Sequence, residues 1–218
     1  VPLIIGMEKG FFANHGLTVV NENFQSPTDR DAALQSGKMD GVMSDMVAFA
    51  LYLESGMKLK MTSLVQTGFG VLASPQSGLT SLAAIQEANT CGISLNGLIE
   101  YLADQAGAGE KVLLPAVSNR VEQLLAGKID LTVVPEPYVT MGVNQGAVLL
   151  ATDKDLQVQA AVMLFTEEAL ANKKEAIAAF YAGYRDSLAY MRETDPKECI
   201  DLVIEKGDFA PEIAEVLQ

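Results

Sequence analysis

A motif that occurs twice, 90 residues apart, constrains the fold of this 218-residue chain more than any other feature. The pattern R-x-x-x-L-x-x-G-K-x-D stands at residues 30–40 and again at residues 120–130. Apolar residues at helical spacing predict a short helix in each copy, which Asp29 or Asn119 would cap and the glycine would end in the left-handed conformation. The alternative is a helix, glycine turn and strand of the kind found in any α/β protein. Such a unit would explain the apolar spacing, but it would not explain why the Arg and Lys positions match as well. The repeat therefore predicts two related structural units.

The segments around both copies occur in the same order. Short apolar runs at 41–43 and 131–134 follow the motifs and are typical of strands buried in a parallel sheet. A helix-like stretch and then a strand-like run precede each motif, at 3–14 and 17–24 in the first half and at 98–105 and 112–114 in the second. This alternation predicts two α/β units with mostly parallel sheets. The second unit opens with a strand at 91–95, whose counterpart in the first unit is expected before Val1.

The chain is expected to pass between the two units twice. Extended runs at 59–65 and 69–73 lead to segment 74–78, which contains Ser, Pro and Gly. This composition is typical of a loop at a domain boundary. After a short apolar run at 147–150, the apolar strand at 162–166 carries the chain back. Two crossing strands of this kind are a natural hinge.

These crossings predict a discontinuous first domain. Aromatic residues at helical spacing within 174–192 indicate a helix that packs on the first lobe. We therefore expect lobe 1 to comprise residues 1–70 and 154–218, and lobe 2 to comprise residues 71–153.

Charge and residue content exclude several classes of function. The 15 Lys and Arg against 28 Asp and Glu give a net charge of −13, which argues against nucleic acid and anionic membrane surfaces as partners. Cys91 and Cys199 form no C-x-x-C pair, and the single His15 lies in a turn, so neither a metal site nor a catalytic triad is indicated. No G-x-G-x-x-G opens a helix after a strand, and no cofactor is expected.

The candidate ligand-binding residues lie in the loops that follow the predicted strands. In open parallel sheets, ligands bind beyond the carboxyl ends of the strands, where loops and helix N-termini present free backbone N–H groups. The residues expected to contact a ligand are Ser26, Thr28, Ser44, Asp45, Gln66 and Thr67 from lobe 1, and Asn96, Gly97 and Glu136 from lobe 2. Neutral hydrogen-bonding groups dominate this set, which contains neither His nor Cys.

Several of these residues also have a plainer structural interpretation. Asn96 and Gly97 open a helix whose first amides favour a carboxylate, sulfonate or phosphate, but Asn96 is equally an ordinary cap. Ser44 and Asp45 are equally suited to cap the helix expected at 46–54. Glu136 stands between two prolines that fix it at a strand end, as they would in a structural turn.

Several further motifs are spread along the chain, and they are E-K-G-F-F at 8–12, H-G-L-x-V at 15–19, A-L-x-S-G-x-x-D at 33–40, L-T-S-L-A at 79–83, and L-x-G-x-x-D at 125–130 with P-E-P-Y at 135–138. Taken together, these motifs resemble the type 2 solute-binding proteins of ABC importers, in the branch that binds nitrate, sulfonates, taurine and thiamine pyrimidines. The resemblance implies a two-lobed, type 2 periplasmic-binding-protein-like α/β fold. It also implies that the candidate residues other than Thr28 would face the cleft between the lobes.

The resemblance also implies a function and a location. Two lobes would close on a small polar or anionic organic solute and deliver it to the permease and ATPase of an importer. The protein would be a monomer that is either periplasmic or extracellular and membrane-anchored, through an anchor not contained in these residues. The alternatives are a pyrimidine-precursor binding protein, an enzyme of the same fold, which would need a cleft His, and a detached ligand-sensing domain. We expect a binding protein and no enzyme.

Overall fold

The computed structural model describes residues 1–24 and 26–206 of the chain, which form both helices and strands. The helices are α1 Pro2–Glu8, α2 Phe11–Asn14, α3 Pro27–Gln35, α4 Met46–Glu54, α5 Leu98–Gln105, α6 Val117–Leu125, α7 Tyr138–Asn144, α8 Glu167–Asn172, α9 Lys174–Glu193 and α10 Pro196–Lys206. The strands are β1 Gly41–Asp45, β2 Leu59–Leu64, β3 Phe69–Ala73, β4 Thr90–Ile93, β5 Glu110–Leu113, β6 Leu131–Pro135, β7 Val148–Thr152 and β8 Ala161–Thr166. The end of the predicted returning segment, 207–218, lies outside the described residues.

Packing divides the chain into two compact units, Phe24–Glu167 and Val1–Asn23 with the segment that begins at Glu168. The unit that contains the N-terminus is helical, and in it α1 and α2 pack on α9. The Phe12 ring is 2% exposed and stacks on Phe180, with ring centroids 5.6 Å apart. Phe180 of the predicted C-terminal helix therefore packs against a buried ring, as the sequence predicts for this residue. The lobe boundaries drawn from the sequence stay a prediction.

The unit Phe24–Glu167 contains two sheets. The first has the strand order β1-β8-β2, and both of its pairs are antiparallel. The expectation of a mostly parallel sheet is therefore wrong for this half. The reason is that β8 returns from 100 residues downstream and inserts between β1 and β2, which run in the same direction but do not pair. Val42, Leu59, Val162 and Leu164 form its buried core.

The second sheet has the strand order β5-β4-β6-β3-β7 and is mixed. Strand β4 pairs in parallel with β5 and β6, as the βαβ pattern of the sequence predicts, and β3 pairs antiparallel with β6 and β7. Along β6, Leu131, Val133 and Val134 are 0% exposed, and the equally buried Thr132 donates from its Oγ1 to the Gly92 carbonyl at 2.8 Å. Two sheets flanked by helices confirm the predicted α/β class.

The repeated motif has the predicted local structure in both copies. It forms the end of α3 and of α6, and Gly37 and Gly127 follow in the left-handed region, at φ 74° and 66°. The predicted caps are wrong. Ser26 caps α3 by accepting a hydrogen bond from the Asp29 backbone N at 3.2 Å, and α6 has no side-chain cap. The helices start earlier than the motif, so Asp29 and Asn119 lie inside them.

Two further expectations about strands are wrong. Residues 17–24 form no strand, because they contain poor strand formers such as Asn21 and Asn23 and no neighbouring strand pairs with them. The two connections between the sheets are loops rather than strands. We call these loops, residues 65–68 and 153–160, the crossing segments. Within the described ranges, no helix combines the length and the apolar character that crossing a membrane requires.

Candidate functional site

Strand directions bring most of the candidate residues to two connected sheet edges. Because β6 and β7 are both antiparallel to β3, and β4 is parallel to β6, the carboxyl ends of β4, β6 and β7 lie at one edge. Asn96, Gly97 and Glu136 follow strand ends at that edge. In the first sheet, β1 ends at Asp45 and β2 ends where the first crossing segment begins. The crossing segments therefore join the two edges that carry the predicted site.

The Asp45 carboxylate links the two edges directly. Its Oδ1 accepts a hydrogen bond from the Ala48 backbone N at 2.9 Å, so Asp45 caps α4 as the plainer interpretation expects. Its Oδ2 lies only 3.2 Å from the point where a Cβ on Gly97 would stand. A carboxylate from the first sheet thus lies against the N-terminus of α5, on the second sheet.

The N-terminus of α5 differs from the expected cap. Asn96 has φ 63° and makes no side-chain cap, so its interpretation as the capping residue is wrong. Its backbone N donates instead to Glu100 Oε2 at 2.9 Å, and Lys111 Nζ lies 3.2 Å from Glu100 Oε1. Gly97 is buried and extended, at φ −161°. The Glu100 side chain, within α5, therefore accepts a hydrogen bond from the backbone N of the residue that precedes Gly97.

Ser44 belongs to a buried polar network that the sequence analysis did not foresee. The Tyr52 hydroxyl donates to Asp31, receives a hydrogen bond from Arg30 Nη2 at 3.1 Å, and lies 3.3 Å from Ser44 Oγ. Arg30 also pairs with Asp31 at 2.8 Å. Burial raises the pKa of Tyr52 to about 12, from an ordinary value of 10.0. The network fixes the end of β1 to α3 and α4.

We expect Tyr52 to make stability fall at alkaline pH. Since its folded pKa exceeds its unfolded pKa, its contribution is fully present below pH 10 and is lost as the pH rises through about 12. The loss should be roughly 2 kcal/mol in the free energy of unfolding. Urea unfolding at several pH values measures it, and Tyr52→Phe serves as the comparison. If Tyr52→Phe loses as much stability over this range as the wild type, the assignment of this pH dependence to Tyr52 is wrong.

Glu136 lies beside the first crossing segment. Its backbone N donates to the Gly68 carbonyl at 2.8 Å, and a Cβ on Gly68 would stand 3.3 Å from Glu136 Cγ. Its Oε2 accepts hydrogen bonds from the Thr140 backbone N at 3.1 Å and from Thr140 Oγ1 at 2.9 Å. One carboxylate oxygen therefore stabilises the first turn of α7, and the exposed side chain keeps its other oxygen for further contacts.

Both crossing segments line a cavity of about 340 Å³. Its lining residues are Gln66, Thr67, Asp153, Lys154, Gln157, Val158 and Gln159. The predicted residues Gln66 and Thr67 thus face free volume together with a segment that the sequence analysis did not single out.

No contact among the described residues joins Ser26 or Thr28 to the other candidate residues. They lie at the start of α3, where Ser26 Oγ donates to Asp29 Oδ2 at 2.7 Å and Thr28 is exposed. Ser26 therefore has a structural role as a cap. Ligand contact by any of the nine candidate residues stays a prediction.

Arg120 is a buried cation at the same edge of the second sheet. It is 1% exposed, and its Nη1 donates to the carbonyls of Leu114 at 2.8 Å and Pro115 at 3.0 Å. Burial lowers its pKa to about 10. Arg120 thus holds the loop that follows β5. In the sequence, Arg120 was marked only by its position in the repeated motif, in which Arg30 occupies the matching position.

The part of the chain that the structure describes holds no group of three His, Cys, Asp or Glu residues placed to bind a metal ion. Its cysteines, Cys91 and Cys199, are free and buried. Burial raises the pKa of Cys91 to about 12, which keeps the thiol protonated and unreactive near neutral pH. The candidate ligand-binding residues offer a ligand hydrogen-bonding groups and negative charges.

Comparison with known proteins adds a family and a fold. A sequence model of the family described as NMT1/THI5 like matches residues 1–199. No curated protein sequence matches the chain. The periplasmic aliphatic sulphonate binding protein of Escherichia coli is similar in structure, with a TM-score of 0.80 and 15% identity over 100% of this chain and 79% of that one.

Two further solved structures are similar. The ligand binding component of an ABC-type import system from Staphylococcus aureus, solved with zinc bound, has a TM-score of 0.78 and 16% identity, covering 99% of this chain and 78% of that one. The periplasmic nitrate-binding protein of Synechocystis has a TM-score of 0.74 and 16% identity, covering 98% of this chain and 65% of that one. These likenesses confirm the predicted fold, that of the periplasmic binding proteins.

Proposed function

Because this chain belongs to the NMT1/THI5-like family, we propose that it is the extracytoplasmic solute-binding component of an ABC transporter. It captures a small polar or anionic organic solute of the sulfonate, taurine or nitrate type and delivers it to the permease and ATPase of the importer. The names of the similar structures support this proposal, since they bind aliphatic sulphonates and nitrate or serve an ABC-type import system.

The observation that carries the proposal is the contact between Asp45 and Gly97. Two sheets, which the crossing segments connect, present their strand ends to the same point. A solute bound there contacts both sheets at once, and it stabilises one arrangement of the sheets by its differential affinity for it. Capture of this kind requires no bond to break, which fits a binding protein rather than an enzyme.

Within these solutes, the charges favour one that carries an amine as well as an acid group. The first amides of α5 favour a sulfonate or carboxylate. The carboxylates of Asp45 and Glu136 lie at the same joined edges and favour an ammonium group. An aminosulfonate such as taurine satisfies both, whereas nitrate uses only the amides.

The second candidate is a pyrimidine precursor, which the match to the NMT1/THI5-like family also fits. Asp45 and Glu136 would accept hydrogen bonds from its amino groups. An enzyme of this fold has less support, because the single histidine of the chain pairs with Asp186 Oδ2 at 2.7 Å, both on the unit with the N-terminus. The remaining parts of the proposal are a periplasmic or membrane-anchored location, a monomeric state, and lobes at 1–70 with 154–218 and at 71–153.

A thermal-shift screen tests the proposed function. Taurine, alkanesulfonates, nitrate, aminopyrimidines and amino acids are added singly, and a solute at 100 times its Kd should stabilise the fold by about 2.7 kcal/mol. For a chain of this size the melting temperature should rise by roughly 5–10 °C. Native mass spectrometry of freshly purified protein then identifies any solute that co-purifies. A screen in which no compound raises the melting temperature contradicts the proposal, and consumption of a compound contradicts its class.

Replacing Glu136 separates the two kinds of solute. In Glu136→Gln one side-chain oxygen remains to accept from Thr140, so α7 keeps its cap while the charge is lost. We expect an amine-bearing solute to bind about tenfold more weakly, because a hydrogen bond to a charged group contributes roughly 1.5–3 kcal/mol. A pure anion should bind equally well or better. Calorimetric titration of taurine and of ethanesulfonate makes the comparison, and an equal loss for both solutes contradicts the assigned role.

A further inference from the structure

The two copies of the repeated motif differ at the start of their helices. In the first copy Ser26 caps α3 with its hydroxyl, and Pro27, the first helical residue, has no N–H to donate. The matching positions of the second copy hold Ala116, which makes no side-chain cap, and Val117. Among the described residues, the first backbone N of α6 with an acceptor is that of Arg120. The three N–H groups before it are therefore available to a ligand.

Arg120 is a buried cation without a counter-charge. Its counterpart Arg30 pairs with the adjacent Asp31, whereas the residue after Arg120 is Val121. In the part of the chain that the structure describes, no carboxylate pairs with Arg120, and its buried Nε has no hydrogen-bond partner. A buried charge is costly unless it is compensated, so this one favours an anion nearby.

The Arg120 guanidinium lies against the start of α6. Its Nη1 donates to the carbonyls of Leu114 and Pro115, the two residues before Ala116. The side chain is thus directed back to the N-terminus of its own helix, where the helix dipole also concentrates positive charge. Because the guanidinium is 1% exposed, it acts on a solute through its charge, while the exposed Ser118 adds a hydroxyl at the surface.

The start of α6 lies at the edge of the sheet that carries the candidate site. Strands β4 and β5 are parallel neighbours, and the Leu114 N donates to the Ile93 carbonyl at 2.8 Å. The loop after β5 therefore runs beside the loop that carries Gly97. The start of α5 is the poorer place for an acid group, because the Asp45 carboxylate lies against Gly97 and repels an anion.

We propose that the N-terminus of α6 is the subsite for the acid group of the solute, a sulfonate or a carboxylate, and that Arg120 is a positioning residue whose charge strengthens it. The acid group accepts hydrogen bonds from the backbone N–H groups of Val117 and Ser118 and from the Ser118 hydroxyl. Asp45 and Glu136 are then left for the ammonium group of an aminosulfonate. This inference rests on the proposed capture of a solute that carries an acid group.

Giving α6 a cap of its own tests the subsite. In Ala116→Asp the new carboxylate occupies the first amides, as Ser26 does in α3. The melting temperature without solute should rise by roughly 2–4 °C. In calorimetric titration, ethanesulfonate should bind at least about tenfold more weakly. Ala88→Asp is the matched control in an exposed turn before β4, at the opposite edge of the sheet, and it should leave affinity within about twofold.

Removing one amide tests the same subsite without adding a charge. Proline suits the first position of a helix, and Ala116 already has the extended conformation that a residue before proline requires, at φ −73° and ψ 129°. Val117→Pro should therefore fold normally and bind ethanesulfonate at least about tenfold more weakly. Val117→Ala keeps the N–H group, so its affinity should stay within about twofold of the wild type.

Two replacements of Arg120 separate its charge from its packing. Arg120→Lys keeps the charge and should retain ethanesulfonate affinity within about threefold, whereas Arg120→Met should lose at least about tenfold. Circular dichroism checks that both variants are folded. Equal losses in the two variants contradict the role of the charge. Should Arg120→Met be unfolded, Arg120→Lys decides, and a tenfold loss in it counts against that role.

The subsite is overturned if ethanesulfonate shows no saturable binding to the wild type, or if Ala116→Asp and Val117→Pro bind it as tightly as the wild type does. A loss in Ala88→Asp or Val117→Ala as large as in its partner variant also overturns it. These failures are distinct from failure of the proposed function. A solute that raises the melting temperature in the screen, but whose affinity none of these variants changes, contradicts the subsite and leaves the binding function in place.

Discussion

Replacing Gly97 with valine should reduce solute affinity about 100-fold without unfolding the protein. Gly97 has φ −161°, an extended conformation that valine adopts without strain. The new side chain would start 3.2 Å from Asp45 Oδ2 and fill the space at the first amides of α5. The added methyl groups take up space that the solute would fill, so the crowding arises when the solute binds, and a crowding cost of about 3 kcal/mol corresponds to about 100-fold in a dissociation constant. Calorimetric titration with the solute found by the thermal-shift screen measures the loss.

A graded pair of variants controls this experiment. Gly97→Ala adds only the first carbon, so its loss of affinity should be smaller than that of Gly97→Val. Both should keep a melting temperature near that of the wild type without solute. If affinity is unchanged in Gly97→Val, the solute does not approach the N-terminus of α5, and the proposed position of the site is wrong.

Replacing Gly109 with alanine should lower the melting temperature by about 6–12 °C. Gly109 precedes β5, and a Cβ there would stand 2.6 Å from the Glu87 carbonyl carbon and 2.8 Å from the Gln86 carbonyl oxygen. Both neighbours are backbone, so the chain before β4 must move, at a cost of about 3 kcal/mol. For a chain of this size each kcal/mol lowers the melting temperature by roughly 2–4 °C. Differential scanning calorimetry gives the value directly.

Gly107→Ala is the matched control for this effect. Gly107 lies two residues away at φ 78°, and a Cβ there would meet no atom within 4 Å. Its replacement adds only the strain of the left-handed conformation, roughly 1 kcal/mol. Gly109→Ala should therefore be clearly the less stable of the two. Equal melting temperatures would show that the segment before β4 yields to the added carbon at little cost.

The helices and strands were largely predictable because their signals are local. The predicted helix at 98–105 coincides with α5, and the one at 46–54 coincides with α4. The order of strands in the first sheet was not predictable in the same way. It depends on β8, which pairs with β1 and β2 from about 100 residues away, and no local pattern encodes such a partner.

Parts of the candidate site followed from strand ends, and parts did not. The rule that ligands bind beyond strand ends selected Asp45 and Gly97, which the structure does bring together. It did not select Asp153, since a single aspartate in a turn has no pattern that distinguishes a buried carboxylate from an exposed one. The two repeated arginines show the same limit. Arg30 pairs with the adjacent Asp31, whereas Arg120 donates to loop carbonyls.

The Asp45 carboxylate lies beside the start of α5, so its negative charge opposes any anion that approaches the first amides of that helix. Chloride, acetate and other anions that bind weakly meet this repulsion without making contacts that offset it. A guest must add further contacts, or neutralise the carboxylate with a positive group of its own, before it can enter. The position of Asp45 would thereby select against simple inorganic anions and in favour of a solute that carries a positive group.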